Sequence, residues 1–216
     1  MNGIDDHMAV STDVVLFSIR HQRLEVLLVR RADGGWGLPG GLAGGGEDLD
    51  ASALRHLAEQ TGVRGVYLEQ LYTFGRPDRD PGRRVIAVAY CALVPAERLH
   101  MRPMAGIQGL GWFPWNQLPP LVLDHAAIVA LAHRRLAAKL DYSTIALQFM
   151  AEEFTLSELQ QVYETILGAA LDKRNFRKRV LALGCIEATG ALSREGNHRP
   201  ARLFRVKTPG KVEFIK

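Results

Sequence analysis

Two groups of residues in this chain of 216 have types and spacings that could do chemistry. The first begins at Trp36-Gly37-Leu38-Pro39-Gly40-Gly41, which is followed by Glu47 and then by Arg55, His56, Glu59 and Gln60. Those last four positions share one face of a helix. Carboxylates gathered on such a face are hard oxygen ligands for magnesium or manganese, the ions that activate water for hydrolysis. Here only Glu47 and Glu59 are acidic, and Glu47 can be occupied by pairing with Arg55. Two carboxylates so placed make a poor magnesium cage, so neither a catalytic residue nor a resident metal is expected.

The second group lies near the C-terminus. Asp172 can cap a helix over Lys173–Leu183, with Gly184 ending it. Phe176, Val180 and Leu183 then fall together on the inner side, which sends Arg174, Arg177 and Lys178 outward. Lysines and arginines near a helix N-terminus can neutralise phosphates, an arginine can pair bidentately with guanine, and Asn175 can do so with adenine. Beyond the helix, Ile186–Leu192 and Ala201–Val206 read as paired strands around the polar tip Arg194-Glu195-Gly196-Asn197-His198-Arg199, with Arg202 and Arg205 on the return strand. A basic helix after two others, then a hairpin, is the order of a winged helix-turn-helix, whose wing lies along the sugar-phosphate backbone. The residues expected to contact DNA are Lys173, Arg174, Asn175, Arg177, Lys178, Arg194, His198, Arg199 and Arg202. A small accessory domain with a solvated basic face is the weaker reading, because cap, buried stripe, charged face and wing agree.

The elements that must position these groups fall into two stretches. Val14–Ile19 and Leu24–Val29 read as a hairpin or adjacent strands around His21-Gln22-Arg23. A short helix over Ala51–Thr61 carries Leu54, Leu57 and Ala58 inward and stops at Gly62. Val66–Phe74 and Val85–Val94 read as strands, and a helix from Asp124, its expected cap, runs to about Leu140. Strands alternating with a few helices predict an α/β domain over residues 1–140. Over 141–216 the pattern becomes helical: Ser143–Glu153, then a helix opened by the capping box Thr155-Leu156-Ser157-Glu158 with Leu159, Val162, Tyr163, Ile166 and Leu167 inward, then the basic helix. Charge changes with it. Residues 1–140 carry 15 basic and 14 acidic side chains, 141–171 carry 5 acidic and no basic ones, and 172–216 carry 12 basic against 4 acidic.

Composition excludes other classes. Hydrophobic residues make up 47% and charged residues 23%, enough for a buried core. No stretch approaches the roughly 18 apolar residues of a membrane span, and MNGIDDHMAV has neither the basic start nor the apolar run of a secretory signal. A cytoplasmic protein without membrane partners is expected. Cys91 and Cys185 have no metal-ligand spacing and read as small buried hydrophobes.

Gly41, Glu47, Arg55, Leu57, Glu59, Gly62 and Val63 match the Nudix signature G-x5-E-x7-R-E-U-x-E-E-x-G-U, where U is aliphatic. His56 and Gln60 depart from it, since both positions are acidic in that pattern. The resemblance implies a Nudix α/β/α sandwich that has lost metal ligands. Tyr72–Arg84 looks like the corresponding stretch of ADP-ribose-recognising Nudix proteins. Arg30, Arg31, Arg79 and Arg84 are thereby candidate contacts to phosphate or ribose, with Glu47, Arg55 and Glu59 beside them. Arginines and backbone amides can cradle a diphosphate that is bound and not cut.

Joined to Leu171-Asp172-Lys173-Arg174-Asn175-Phe176-Arg177-Lys178, Asp141-Tyr142-Ser143 and His198-Arg199-Pro200-Ala201-Arg202, the whole chain resembles the Nudix-related regulators of NAD metabolism, NrtR. That resemblance implies a homodimer on a palindromic DNA operator, repressing NAD biosynthesis or salvage genes. It implies ADP-ribose as the nucleotide effector that releases the DNA, and no required cofactor. The alternatives are an active ADP-ribose pyrophosphatase with an accessory domain, and a regulator of the same architecture answering to another phosphorylated sugar or nucleotide.

Overall fold

The structure, a computed structural model, describes residues 8–99, 107–193 and 200–215. It divides into two compact units. One holds Met1–Phe17, Glu25–Leu93 and Leu99–Ala132; the other holds Ser18–Leu24, Val94–Arg98 and His133–Lys216.

The first apolar runs form strands β1 (Ala9–Arg20) and β2 (Arg23–Arg30). His21 and Gln22 reverse the chain between them with φ of 49° and 58°, the left-handed pair that a primed two-residue hairpin turn requires. Strand β1 starts earlier than its aliphatic run, because Ser11, Thr12 and Asp13 extend it as buried polar residues. The other elements are β3 (Trp36–Gly37), β4 (Gly40–Leu42), α1 (Leu49–Thr61), β5 (Tyr67–Phe74), β6 (Val85–Leu93), β7 (Gly109–Pro114) and α2 (His125–Tyr142). The strands make one mixed sheet in the order β3-β2-β1-β6-β5, with β4 paired to β1 and β7 paired to β2. At its centre β1 and β6 run parallel, from Ala9↔Val85 to Phe17↔Leu93. Consecutive residues Val14, Val15, Leu16 and Phe17 are all at 0% exposure, so both faces of the sheet are covered there.

Helix α1 is capped by the Asp48 carboxylate, which accepts from the Asp50 N–H at 3.0 Å, and ends on Gly62 at φ 76°. Its buried face is rotated from the expected one. Leu57 and Ala58 are buried, but Leu54 is 41% exposed and Ser52, Ala53 and Thr61 lie inside. Small hydroxyls can do so because they are satisfied: Ser52 bonds Thr12 at 3.2 Å, and Thr61 donates to the Leu57 carbonyl at 2.6 Å. The expected Asp124 cap takes a different form. Its backbone carbonyl accepts from Ala127 and Ile128 at the start of α2, while Arg79 engages its carboxylate.

In the other unit the helix expected over Ser143–Glu153 is a short 3-10 turn, Ile145–Phe149. The strand beyond it is the physical reason. Met150 is extended, and Phe154–Thr155 forms strand β8, which requires the backbone to leave helical geometry before the next cap. That cap is the reciprocal box of Thr155 and Glu158, opening α3 (Leu156–Leu167), which ends on Gly168. Helix α4 (Lys173–Ala182), β9 (Ile186–Ser193) and β10 (Ala201–Val206) complete the unit as expected. Its sheet has the order β8-β10-β9, with Phe154 opposite Phe204. The four short strands that the sequence did not suggest, β3, β4, β7 and β8, are two to six residues long and three of them include glycine, so alternation has little to act on.

Candidate functional site

The signature segment closes on itself. Glu47 accepts from the Gly44 N–H at 2.7 Å and takes both the Nε (2.9 Å) and an Nη of Arg55, whose other Nη donates to Glu59 at 3.1 Å. The guanidinium hydrogen bonds hold the Glu47 carboxyl down at about 2, with the Gly44 amide adding to the effect. The two residues that depart from the acidic pattern are both employed as donors. His56 Nε2 donates to the Leu42 carbonyl at 3.0 Å, and the Gln60 amide clasps Gly40 at both ends, donating to its carbonyl at 2.7 Å and accepting from its N–H at 3.0 Å. A carboxylate has no proton with which to make either donation. Among the described residues there is no group of three or more His, Cys, Asp or Glu that could hold a metal ion.

A cavity of about 330 Å³ lies against this segment, lined by Gly40, Gly41 and Gln60 together with β1, the 79–83 segment and the start of α2. Its inner wall is ionic. The Arg79 side chain, only 2% exposed, grips Asp124 through Nε (3.1 Å) and Nη2 (2.6 Å) and stands 3.7 Å from Asp13. A cation so deeply buried requires such pairing. His125, 1% exposed, accepts from the Leu38 N–H on Nδ1 at 2.9 Å, so its proton lies on Nε2. Burial pushes its pKa down, against the weaker upward pull of Asp13 and Asp124, and the ring is uncharged at neutral pH.

Of the expected contacts, Arg31 and Arg79 line the cavity. Arg30 and Arg84 do not: Arg30 lies over the Trp36 ring at 5.9 Å, and Arg84 donates to the Arg76 carbonyl at 3.1 Å. Glu47, Arg55 and Glu59 are paired among themselves and are not lining residues. Missed from the sequence were Asp13, Asp80, Arg83 and His125. Asp13 left a signal, as a lone carboxylate leading into a strand of aliphatic residues; His125 left none.

Helix α4 has the expected cap and anchor, but it ends at Ala182 and the expected inward Leu183 is only half-buried. Asp172 caps it, accepting from Asn175 N–H at 2.8 Å, and Phe176 and Val180 are buried, Phe176 edge-on to Tyr163 at 5.1 Å. Lys173, Arg174, Asn175, Arg177 and Lys178 are all exposed, and among the described residues none of these four cations makes an ion pair. Asn175 also borders a groove with Phe176, Leu171 and Leu167. Arg179 behaves differently, donating to the Leu140 and Asp141 carbonyls at 3.0 and 2.9 Å and so satisfying the C-terminal end of α2. On the hairpin Arg202 is exposed, whereas Arg205 pairs with Glu187 at 2.7 Å. Arg194, His198 and Arg199 lie outside the described residues.

Comparison with known proteins agrees with both halves. Residues 8–132 match the NUDIX domain and residues 146–206 the NrtR DNA-binding winged helix domain. A relative from Acinetobacter baylyi named "ADPR responsive transcriptional repressor NtrR" is 34% identical over 204 residues, covering 91% of this chain and 81% of that protein. The crystal structure of Shewanella oneidensis NrtR complexed with a 27mer DNA is 36% identical with a TM-score of 0.83, over 92% of this chain and 93% of that one. The NUDIX domain of the same Shewanella protein, complexed with ADP ribose, is 35% identical with a TM-score of 0.54, over 60% of this chain and 88% of that one. With both modules matched in order, this chain belongs to the NrtR family: a Nudix domain followed by a winged helix-turn-helix domain.

Proposed function

We propose that this protein is a transcriptional repressor that binds double-stranded DNA through its winged helix and is released by ADP-ribose bound in its Nudix domain. The observation that carries the reading is the outward row of cations on α4, without ion-pair partners among the described residues and held in place by buried Phe176 and Val180. Lys173 and Lys178 neutralise phosphates; Arg174, Asn175 and Arg177 read base edges; Arg194, His198, Arg199 and Arg202 follow the backbone from the wing. The functional domains are an effector-binding domain over 1–140 and a DNA-binding domain over 141–216. The protein works in the cytoplasm as a homodimer on a palindromic operator controlling NAD biosynthesis or salvage genes, and it requires no cofactor. The repressor named for ADPR and the Shewanella complexes with DNA and with ADP ribose support this reading.

The Nudix domain binds its diphosphate without cutting it. Glu47 is committed to Arg55, and His56 and Gln60 hold the loop backbone, so the helix face has no carboxylate cage to offer magnesium. A gel shift with operator DNA tests the scheme. The shift weakens steeply with salt and disappears at saturating ADP-ribose. A shift indifferent to ADP-ribose removes the effector role, and magnesium-dependent release of AMP from ADP-ribose by the purified protein removes the claim of inactivity.

A further inference from the structure

The inner wall of the cavity carries a donor and an acceptor that the fold leaves unjoined. Asp13 and His125 both line it, at 6% and 1% exposure. With Nδ1 occupied by the Leu38 N–H, the His125 proton is on Nε2, which has no hydrogen-bond partner among the described residues. That nitrogen stands 3.7 Å from Asp13 Oδ1. The gap is too long for a hydrogen bond, yet one oxygen about 2.8 Å from each atom would bridge it. Such an oxygen must accept from the ring and donate to the carboxylate. A hydroxyl does both; a phosphate oxygen, fully ionised, cannot donate and is repelled by the aspartate. Ser11 Oγ donates to Oδ2 at 3.4 Å and Arg79 lies 3.7 Å from that same oxygen, which leaves Oδ1 turned toward the imidazole. Nε2 is closed to solvent in this fold, so a hydroxyl would reach it only with a turn of the ring about χ2, a torsion whose well is broad.

We propose that Asp13 and His125 form a hydroxyl-reading pair that recognises a ribose of the effector at the inner wall, while the exposed Arg31 and Arg83 of the same lining face its phosphates. This rests on the reading of the cavity as the ADP-ribose site. The pair supplies the selectivity that arginines alone cannot, since cations and amides accept any diphosphate.

Calorimetry with ADP-ribose, ADP and ribose 5-phosphate tests it on the full chain. Asp13→Asn keeps the shape and removes the charged acceptor, and weakens ADP-ribose roughly ten- to a hundred-fold. If the ribose read is the one beyond the diphosphate, ribose 5-phosphate weakens with it and ADP does not; if it is the adenosine ribose, ADP weakens and ribose 5-phosphate does not. Either pattern supports the pair. Unchanged or tighter ADP-ribose binding overturns it, because neutralising a carboxylate that faces phosphate relieves repulsion. An equal loss for all three ligands also overturns it, and Asp13→Ser repeats the comparison should the Asn variant fold poorly. For the ring, His125→Leu loses the same selectivity, and His125→Gln restores most of it, since its amide can accept from Leu38 and still donate. Equal behaviour of Leu and Gln variants removes His125 from the pair. Wild-type protein that binds none of the three ligands defeats the effector reading itself, a separate outcome.

Discussion

Helices α1 and α4 begin alike, each capped by an aspartate, Asp48 and Asp172, yet they treat their charged side chains in opposite ways. On α1 the guanidinium of Arg55 is enclosed by Glu47 and Glu59, while His56 and Gln60 are tied to the backbone of the preceding loop. On α4 Lys173, Arg174, Arg177 and Lys178 stand exposed without a carboxylate partner among the described residues, while Arg179 is spent on the fold. An arginine that finds a carboxylate organises its own protein. One held away from any is kept available for a polyanion, and exposed cations left so contribute little to stability by themselves.

Variants can break or sharpen this contrast. The largest effect is expected from Phe176→Ala, which empties the anchor beneath the cationic row and costs about 3–5 kcal/mol. Urea unfolding should show the loss, and DNA binding should vanish while ADP-ribose binding persists. Next, Arg174→Ala or Arg177→Ala should each weaken operator binding by about 1–3 kcal/mol and relax preference at one base position, with unchanged melting temperature. Equal weakening on every sequence would make that residue a phosphate contact. On the other helix, Gln60→Glu leaves the Gly40 carbonyl without its donor and sets a carboxylate against it, destabilising by about 1–3 kcal/mol. A neutral result would mean that the clasp on Gly40 is incidental.

The smallest effect is in pH. His125 has its pKa lowered in the fold, so the unfolded chain takes up a proton that the folded chain refuses, and stability falls as pH drops below about 6.5. His133, also lowered by burial, acts in the same direction. Glu47, held at about 2, adds stability that is complete above its ordinary value of 4.5 and is lost between there and 2. Melting temperature against pH should therefore fall in two separate windows, and His125→Gln should reduce the upper one.

What could be read in the sequence was local. The Thr155–Glu158 box, the Asp172 cap and the buried Phe176 are each set by residues within a turn or two, and the structure has them where the spacing puts them. The signature segment was legible for the same reason. The cavity was not, because its wall is assembled from Asp13, Gln60, Arg79 and His125, residues brought together by the parallel pairing of β1 with β6 and by the start of α2. The arginines sit where strands end: Arg31 follows the last residue of β2 and Arg83 lies in the bend before β6, and these two line the cavity while their neighbours Arg30 and Arg84 do not. Naming the adjacent pairs was within reach of the sequence; choosing within each pair required register. Leu54 failed similarly, since hydroxyl residues satisfied by their own neighbours took the inward places assigned to a leucine.

The reversal at His21 and Gln22 leaves a reserve in the molecule. Both residues hold a backbone form that side chains with a Cβ resist, at a penalty on the order of 1–2 kcal/mol each. Asn-Gly at this corner would release much of it, and neither residue lines the cavity or belongs to α4. A chain so reinforced is a tolerant host in which damaging pocket and anchor substitutions could be studied while still folded.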